Sequence, residues 1–258
     1  MLRKFEYSWQ FFKKSLWFIL PIAGIGMAES RLGTQRCTNL VISIKGDSGA
    51  HFLNPTDVQM LLTENGGDPL MGSRLDEVNL QDLEERIRKN KLIKKCQVFR
   101  DLKGNVVVDV EQERPLARWV NSSDSEEWHN TNGYYINNDG VFFPLSESFS
   151  ARTLIVSGSY FKNSERLKTE KGKSLMELIR FLNTDPFWKA QVVQLDADKD
   201  GEIHLITILG DQRIEFGRAE GYESKFNKLR LFYEKVLSRD WSRYSKISIK
   251  FQDQIVCE

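Results

Sequence analysis

Residues Val106–Trp119, VVVDVEQERPLARW, constrain the fold more than any other stretch, because they describe both a strand and the point where it must stop. Val106, Val108 and Val110 alternate with Val107, Asp109 and Glu111, the two-residue period of a half-buried strand. Pro115 has no amide to donate, so ladder pairing ends there. An apolar strand, two short helical patterns and another strand precede it, and a longer β-rich region follows. One small module therefore closes at this strand and a second begins. The length of 258 residues and hydrophobic content of 40% suffice for two modest domains, each with its own core.

The first module runs from Thr38 to Glu113. Leu40–Lys45, LVISIK, is β-branched and followed by Gly46-Asp47, which predicts a strand and a turn. Asn54 is placed to cap a helix that starts at Pro55 and carries Val58, Leu61 and Leu62 on one face, and Asn65-Gly66-Gly67 stops it. A second helix begins at Asn79, with Leu80, Leu83 and Ile87 on its apolar face and Glu84 paired to Arg88 on the wet side. Asn90 is a stop. Strands Lys95–Asp101 and Asn105–Glu111 then form a hairpin around Leu102-Lys103-Gly104. The predicted order is β-α-α-β-β.

In the second region, Tyr134–Pro144 reads as strand, turn and strand, with Asp139-Gly140 supplying the turn. Thr153–Val156 is a short strand. Leu175, Leu178, Ile179 and Leu182 mark an amphipathic helix that Asp185-Pro186 ends. Val192–Leu195, Ile203–Leu209 and Arg213–Gly217 have the spacing of a meander. A last helix, Tyr222–Leu237, carries Phe226, Leu229, Phe232, Tyr233, Val236 and Leu237 as a core stripe, and Ile247–Phe251 is a closing strand.

Charge narrows the function. Lys plus Arg at 37 against Asp plus Glu at 36 gives a formal charge of +1, with no excess to hold a nucleic-acid backbone. Arg3, Lys4, Lys13 and Lys14 precede an uncharged run, Ser15–Ala28, which Glu29 and Arg31 close. Positive charge before an apolar run keeps that end in the cytoplasm and sends the rest across a membrane. The run spans only about 21 Å as a helix, against a hydrocarbon core of about 30 Å. Three readings fit to different degrees. A short anchor would rely on snorkelling lysines and upstream Phe11 and Phe12; a cleaved signal peptide would use the small residues at Gly26-Met27-Ala28; a buried helix fits the one-sided charge poorly.

Chemistry-bearing residues are scattered. His51, His129 and His204 lie in separate segments, none in a metal-ligand spacing, and no nucleophile elbow or phosphate-cradling glycine loop is present. Asp196–Ile203 matches the opening of an EF-hand loop, but Thr207 stands where the bidentate Glu belongs and a β-branched run follows where a helix is required. An acidic hairpin turn is the expectation, with no metal site. Asn121-Ser122-Ser123 matches a glycosylation acceptor and reads as a polar loop. Cys37, Cys96 and Cys257 lie too far apart for a zinc or redox motif. Cys37 and Cys96 could form a disulfide across the first module in an oxidising compartment, which requires Cα atoms within about 7 Å.

The β-α-α-β-β order, ending in Val110-Glu111-Gln112-Glu113-Arg114-Pro115-Leu116-Ala117, resembles a POTRA domain, the polypeptide-transport-associated module. The hairpin Asp139-Gly140-Val141-Phe142-Phe143-Pro144, the strand pair Leu209–Gly217, the helix positions Lys225, Lys228, Leu229, Phe232 and Leu237, and Ser248-Ile249-Lys250-Phe251 extend the likeness. Taken in order, these segments resemble the FtsQ/DivIB family of division proteins. The short apolar run and the three cysteines depart from the family pattern.

That resemblance implies an α+β protein: a cytoplasmic stub at 1–14, a membrane anchor at 15–28, a POTRA domain at 38–113 and a β-rich domain with two helices at 114–258. It implies a scaffold without catalytic residues or cofactors, which binds FtsB-like and FtsL-like divisome proteins outside the cytoplasm through its final strands. The implied location is the bacterial inner membrane at the division site, with the bulk in the periplasm. Pairing would be strand to strand along an edge at Tyr244–Phe251, continued by Gln254–Val256, with Tyr244, Ile247, Ser248, Ile249, Lys250 and Phe251 as the partner-binding set. Ile247, Ile249 and Phe251 share one face, expected to point inward. Glu113, Arg114 and Pro115 form the junction between the two domains. No nucleic acid or small-molecule substrate is implied. The alternative is a secreted or periplasmic POTRA-containing binding or assembly protein with a cleaved signal peptide. A POTRA-bearing outer-membrane assembly factor would need a β-barrel, which the helical patterns at Leu175–Leu182 and Tyr222–Leu237 do not suit.

Overall fold

Pairing of the strand Val106–Gln112 on both of its sides organises the first part of the chain. The computed structural model describes residues 35–45, 51–121, 133–210, 212–252 and 254–258. The stub, the anchor, the Gly46-Asp47 turn, Ser122, Ser123, His129 and Asp211 lie outside the described residues. Among the described residues, no helix is long and apolar enough to cross a membrane. The chain divides into two compact units, one containing Leu53–Gln112 with the strand before it, the other containing Glu113–Glu258 with His51 and Phe52.

In the first unit the order is β1 (Leu40–Lys45), α1 (Pro55–Leu62), α2 (Leu80–Arg88), β2 (Ile93–Arg100) and β3 (Val106–Gln112). The sheet order is β1-β3-β2, with β1 parallel and β2 antiparallel to β3. Asn54 starts α1 by a reciprocal cap: its Oδ1 accepts from the Asp57 amide at 3.0 Å, and the Asp57 carboxylate accepts from the Asn54 amide at 2.8 Å. Asn79 starts α2 by accepting from the Gln81 amide at 3.1 Å. Both helices bury one stripe, Val58 and Leu62 from α1 and Leu83 and Ile87 from α2; α1 packs on β1, α2 on β2, and Val106, Val108 and Val110 of β3 are buried as well. Leu61 and Leu80, expected on those stripes, are half-buried at their margins.

Two features of this unit were not expected. The Gln112 side chain, at the end of β3, is buried, and its amide group pairs with the Leu53 backbone at 3.2 and 3.4 Å. The Cys37–Cys96 disulfide is absent, and both thiols are free and buried. Cys37 leads into β1 and Cys96 lies on β2, so β3 runs between their strands; two strand spacings come to about 9.6 Å, beyond disulfide reach. Burial pushes the Cys96 thiol up to about 11.

The second unit holds β4 (Ala117–Val120), β5 (Gly133–Ile136), β6 (Phe142–Pro144), β7 (Leu154–Ser157), two 3-10 turns, α3 (Glu170–Thr184), α4 (Pro186–Gln191), β8 (Val192–Ala197), β9 (Ile203–Thr207), β10 (Arg213–Gly217), α5 (Tyr222–Lys235), a 3-10 turn at Leu237–Arg239, β11 (Lys246–Ser248) and β12 (Val256–Cys257). They form one nine-stranded sheet in the order β12-β11-β10-β9-β8-β7-β4-β5-β6. Connections through helices join the parallel pairs β7–β8 and β10–β11. Leu175, Leu178, Ile179 and Leu182 of α3 and Phe226, Leu229 and Tyr233 of α5 are buried in the same core as Val156, Leu195, Leu205, Ile214 and Ile247.

The architecture is α+β, with corrections to its parts. Trp119 belongs to a separate strand, β4, and does not continue β3. Among the described residues the unit contains three α-helices where two were expected. Asp185-Pro186 does end α3, but Asp185 Oδ1 also accepts from the Phe187 and Trp188 amides at 2.9 and 3.0 Å, and Pro186 opens α4. A proline that cannot continue one helix is well suited to the first turn of the next.

Candidate partner-binding edge

The expected edge, Tyr244–Phe251 continued by Gln254–Val256, divides in the structure: β11 is the second strand, and β12, which includes Val256, pairs along its outer side as the last strand. The Lys246 amide donates to the Glu258 carbonyl at 3.2 Å and the Glu258 amide to the Lys246 carbonyl at 3.0 Å. On the inner side the Ile249 amide donates to Glu215 at 2.9 Å, and the Arg213 amide donates to Ser245 at 3.0 Å. Alternation therefore turns the Ser248 N–H toward β12, leaving nothing of it for another chain. By the same alternation Ile255 and Cys257 point their amides and carbonyls away from β11, and no strand lies beyond β12 among the described residues.

The side chains of the expected set divide by depth. Ile247 and Ile249 are fully buried in the core, and Ser248 is buried between strands. Lys250 and Phe251 are exposed, with the Lys250 ammonium 5.6 Å from the Phe251 ring. Phe251 thus leaves the inward face it was expected to share, because regular pairing in β11 ends at Ser248. Tyr244 is half-buried, 6.1 Å from the Phe232 ring, and Arg243 covers it at 5.3 Å.

Charge is concentrated on the strands leading to this edge. Glu215 on β10 meets Lys246 at 3.0 Å and Lys250 at 3.7 Å, and Lys246 also reaches Glu258 at 3.7 Å. The hydrogen bond from Lys246 holds the Glu215 carboxyl below its ordinary range, with burial opposing and the charges of Lys246 and Lys250 assisting. A depressed carboxyl stabilises the fold above its unfolded value, near about 4.3, and that contribution is lost as pH falls through the folded value. Glu215→Gln is therefore expected to destabilise the protein at neutral pH, with the difference from wild type shrinking as urea unfolding is repeated toward about pH 3. A difference independent of pH would contradict this assignment.

The close approach of the segment after β11 to the end of β10 requires Gly217. Its φ is +75°, and a Cβ there would meet the Lys250 Cβ at 2.8 Å. Nearby, Lys225 of α5 donates to the carbonyls of Phe216 and Arg218 at 3.2 and 2.6 Å, and burial lowers its pKa. Sequence reading marked Lys225 and Lys228 only as helix positions; their carbonyl partners depend on tertiary placement and leave no local pattern.

The other candidate residues serve the fold. Glu113 accepts from the Asn137 amide group at 3.0 Å, and Asn137 Oδ1 in turn accepts from the Asp139 and Val141 amides at 2.9 Å each, fixing the Asp139-Gly140 turn. Arg114 is exposed and Pro115 half-buried in the segment between β3 and β4. Asp198 Oδ1 accepts from the Asp200 and Glu202 amides at 2.8 and 3.0 Å, so the EF-hand-like segment is a tight turn between β8 and β9. Among the described residues no cluster of His, Cys, Asp and Glu could hold a metal ion. His204 pairs across from Glu215 on β9, and burial lowers its pKa. His51 lies edge-on to Phe149 at 6.4 Å.

The two units are thus a small β-α-α-β-β module and a mixed sheet whose last two strands are β11 and β12, the architecture of a two-module α+β protein. Residues 35–111 match the POTRA-like domain family, and residues 127–258 match the family described as FtsQ/DivIB, C-terminal related. No curated protein matches the chain. The chain belongs to the FtsQ/DivIB family, whose role is that of a cell-division scaffold working by protein–protein interaction.

Proposed function

We propose that this protein is a bitopic scaffold of the bacterial inner membrane that gathers FtsB-like and FtsL-like divisome proteins at the division site through its C-terminal strands. Residues 1–14 are cytoplasmic in this reading, 15–28 span the membrane, and the domains at 38–113 and 114–258 lie in the periplasm. The observation that carries the proposal is the β11–β12 hairpin, whose outer backbone rim at Ile255 and Cys257 ends the nine-stranded sheet. An extended partner segment adds there by main-chain pairing. Lys250 and Phe251, both exposed, and Tyr244, half-buried, supply side-chain selectivity, with Lys250 facing an acidic segment. Ile247, Ser248 and Ile249 act from beneath by fixing the hairpin. The scaffold performs no catalysis and uses no cofactor, nucleic acid or small-molecule substrate.

Affinity capture of the membrane-extracted protein, read by mass spectrometry, tests the proposal. Co-purification of FtsB-like and FtsL-like proteins is expected, and their absence from a capture that retains the folded protein would refute it. The topology has its own test, since the basic stub before Ser15 predicts a retained anchor. Intact-mass measurement should find residues 1–28 present; a mature N-terminus at Glu29 would instead support the secreted alternative.

A further inference from the structure

Between β11, which ends at Ser248, and β12, which starts at Val256, the described residues form no strand, and the only route to the last strand runs through this bend. Four backbone carbonyls along it, those of Ile249, Phe251, Gln252 and Gln254, converge on one group, the Lys228 ammonium. The distances are 3.4 Å to Ile249, 3.3 Å to Gln252 and 3.2 Å to Gln254, with Phe251 also in contact. An ammonium has three donors, so four carbonyls cannot each hold a full hydrogen bond at once, and the group acts largely as a point charge among converging negative dipole ends. Without that charge the four carbonyls would repel one another and turn outward to water.

From this we infer that Lys228 is the positioning residue of the terminal hairpin, a clasp by which α5 fixes the placement of β12. The sequence supports the division of labour. Leu229, fully buried, seats the helix in the core, and Lys228 beside it reaches the bend. Lys225, one turn earlier, holds the exit of β10 through the Phe216 and Arg218 carbonyls. One helix thus carries two ammonium groups to consecutive backbone segments at the end of the sheet. Lys228 touches the backbone of this chain and acts on any partner only through β12; that consequence rests on the function proposed above, whereas the clasp does not.

Hydrogen exchange on the isolated protein tests the clasp without a partner. In Lys228→Met, which keeps the apolar stem and removes the charge, the Lys246 and Glu258 amides of the β11–β12 pair should exchange about tenfold faster or more. The Leu116 amide, bonded to Ile136 in the same unit, should keep its protection. Lys228→Arg should restore most of the lost protection, because the guanidinium supplies charge and donors to the same carbonyls. Unchanged exchange at Lys246 and Glu258 would overturn the clasp, and so would loss of protection at Leu116 to the same degree, which would make Lys228 an ordinary stabiliser of the whole unit. Partner capture is read separately. Capture that stays at the wild-type level while the hairpin loses protection would count against the interface and leave the clasp standing.

Discussion

Trp188→Ala is expected to lower the unfolding free energy by about 3–5 kcal/mol, the cost of deleting a large buried aromatic whose cavity closes only in part. Trp188 is 2% exposed and projects from the six-residue helix α4. Its ring lies 4.6 Å from Phe226 and 5.7 Å from Tyr233 on α5, and 4.8 Å from Phe187. Phe226 continues the chain of contacts to Phe216 on β10 at 5.0 Å and to Phe181 on α3 at 5.2 Å. Trp188 therefore ties α4 to α5 directly, and through Phe226 its contacts extend to α3 and the sheet. Since domains are stable by only about 5–15 kcal/mol, the loss should be plain as a lower urea midpoint at unchanged slope. Trp188→Phe, which refills most of the volume, should cost under about half as much. A loss below about 1 kcal/mol for the alanine variant would show that α4 does not organise this core.

The parts of the fold legible in the sequence are those whose cause is local. Asn54-Pro55 and Asn79 start helices because the cap uses side chains within three residues, and the pattern at Val106, Val108 and Val110 records a face that is buried throughout. Asp139-Gly140 announced a hairpin because its turn needs a positive φ, found at +75° for Gly140. What escaped was set by distant partners. The two paired residues of β12 have no periodicity to read, and they become a strand only because β11 is beside them. Alternation tells which face Ile247 and Ile249 present, but not which strand lies next to Ser248, so Gln254–Val256 reads as a continuation of the edge, whereas Val256 folds back to pair with Ser248. Pro186 was read as a stop alone because the same residue that ends one helix can open another. The Gln112–Leu53 pairing and the carbonyl ring around Lys228 link residues far apart in sequence and have no signature in either segment.

The division of the edge changes how the interface must be probed. Ser248→Pro would delete a donor to β12 and damage the hairpin itself, so its effect on a partner could not be separated from its effect on the fold. Cys257 differs, since its N–H points away from β11 and its pairing position opposite Ile247 contributes no ladder bond through that amide. Proline is tolerated on an edge strand and blocks further strand addition. Cys257→Ala serves as the control, keeping the N–H while removing the thiol.

Quantitative capture of FtsB-like and FtsL-like partners by wild type, Cys257→Ala and Cys257→Pro, each with a native circular dichroism spectrum, is the most direct test of strand addition at β12. The account predicts near wild-type capture by the alanine variant and a loss of about tenfold or more in affinity for the proline variant. Equal capture by all three folded proteins would contradict it and place the partner elsewhere on the molecule.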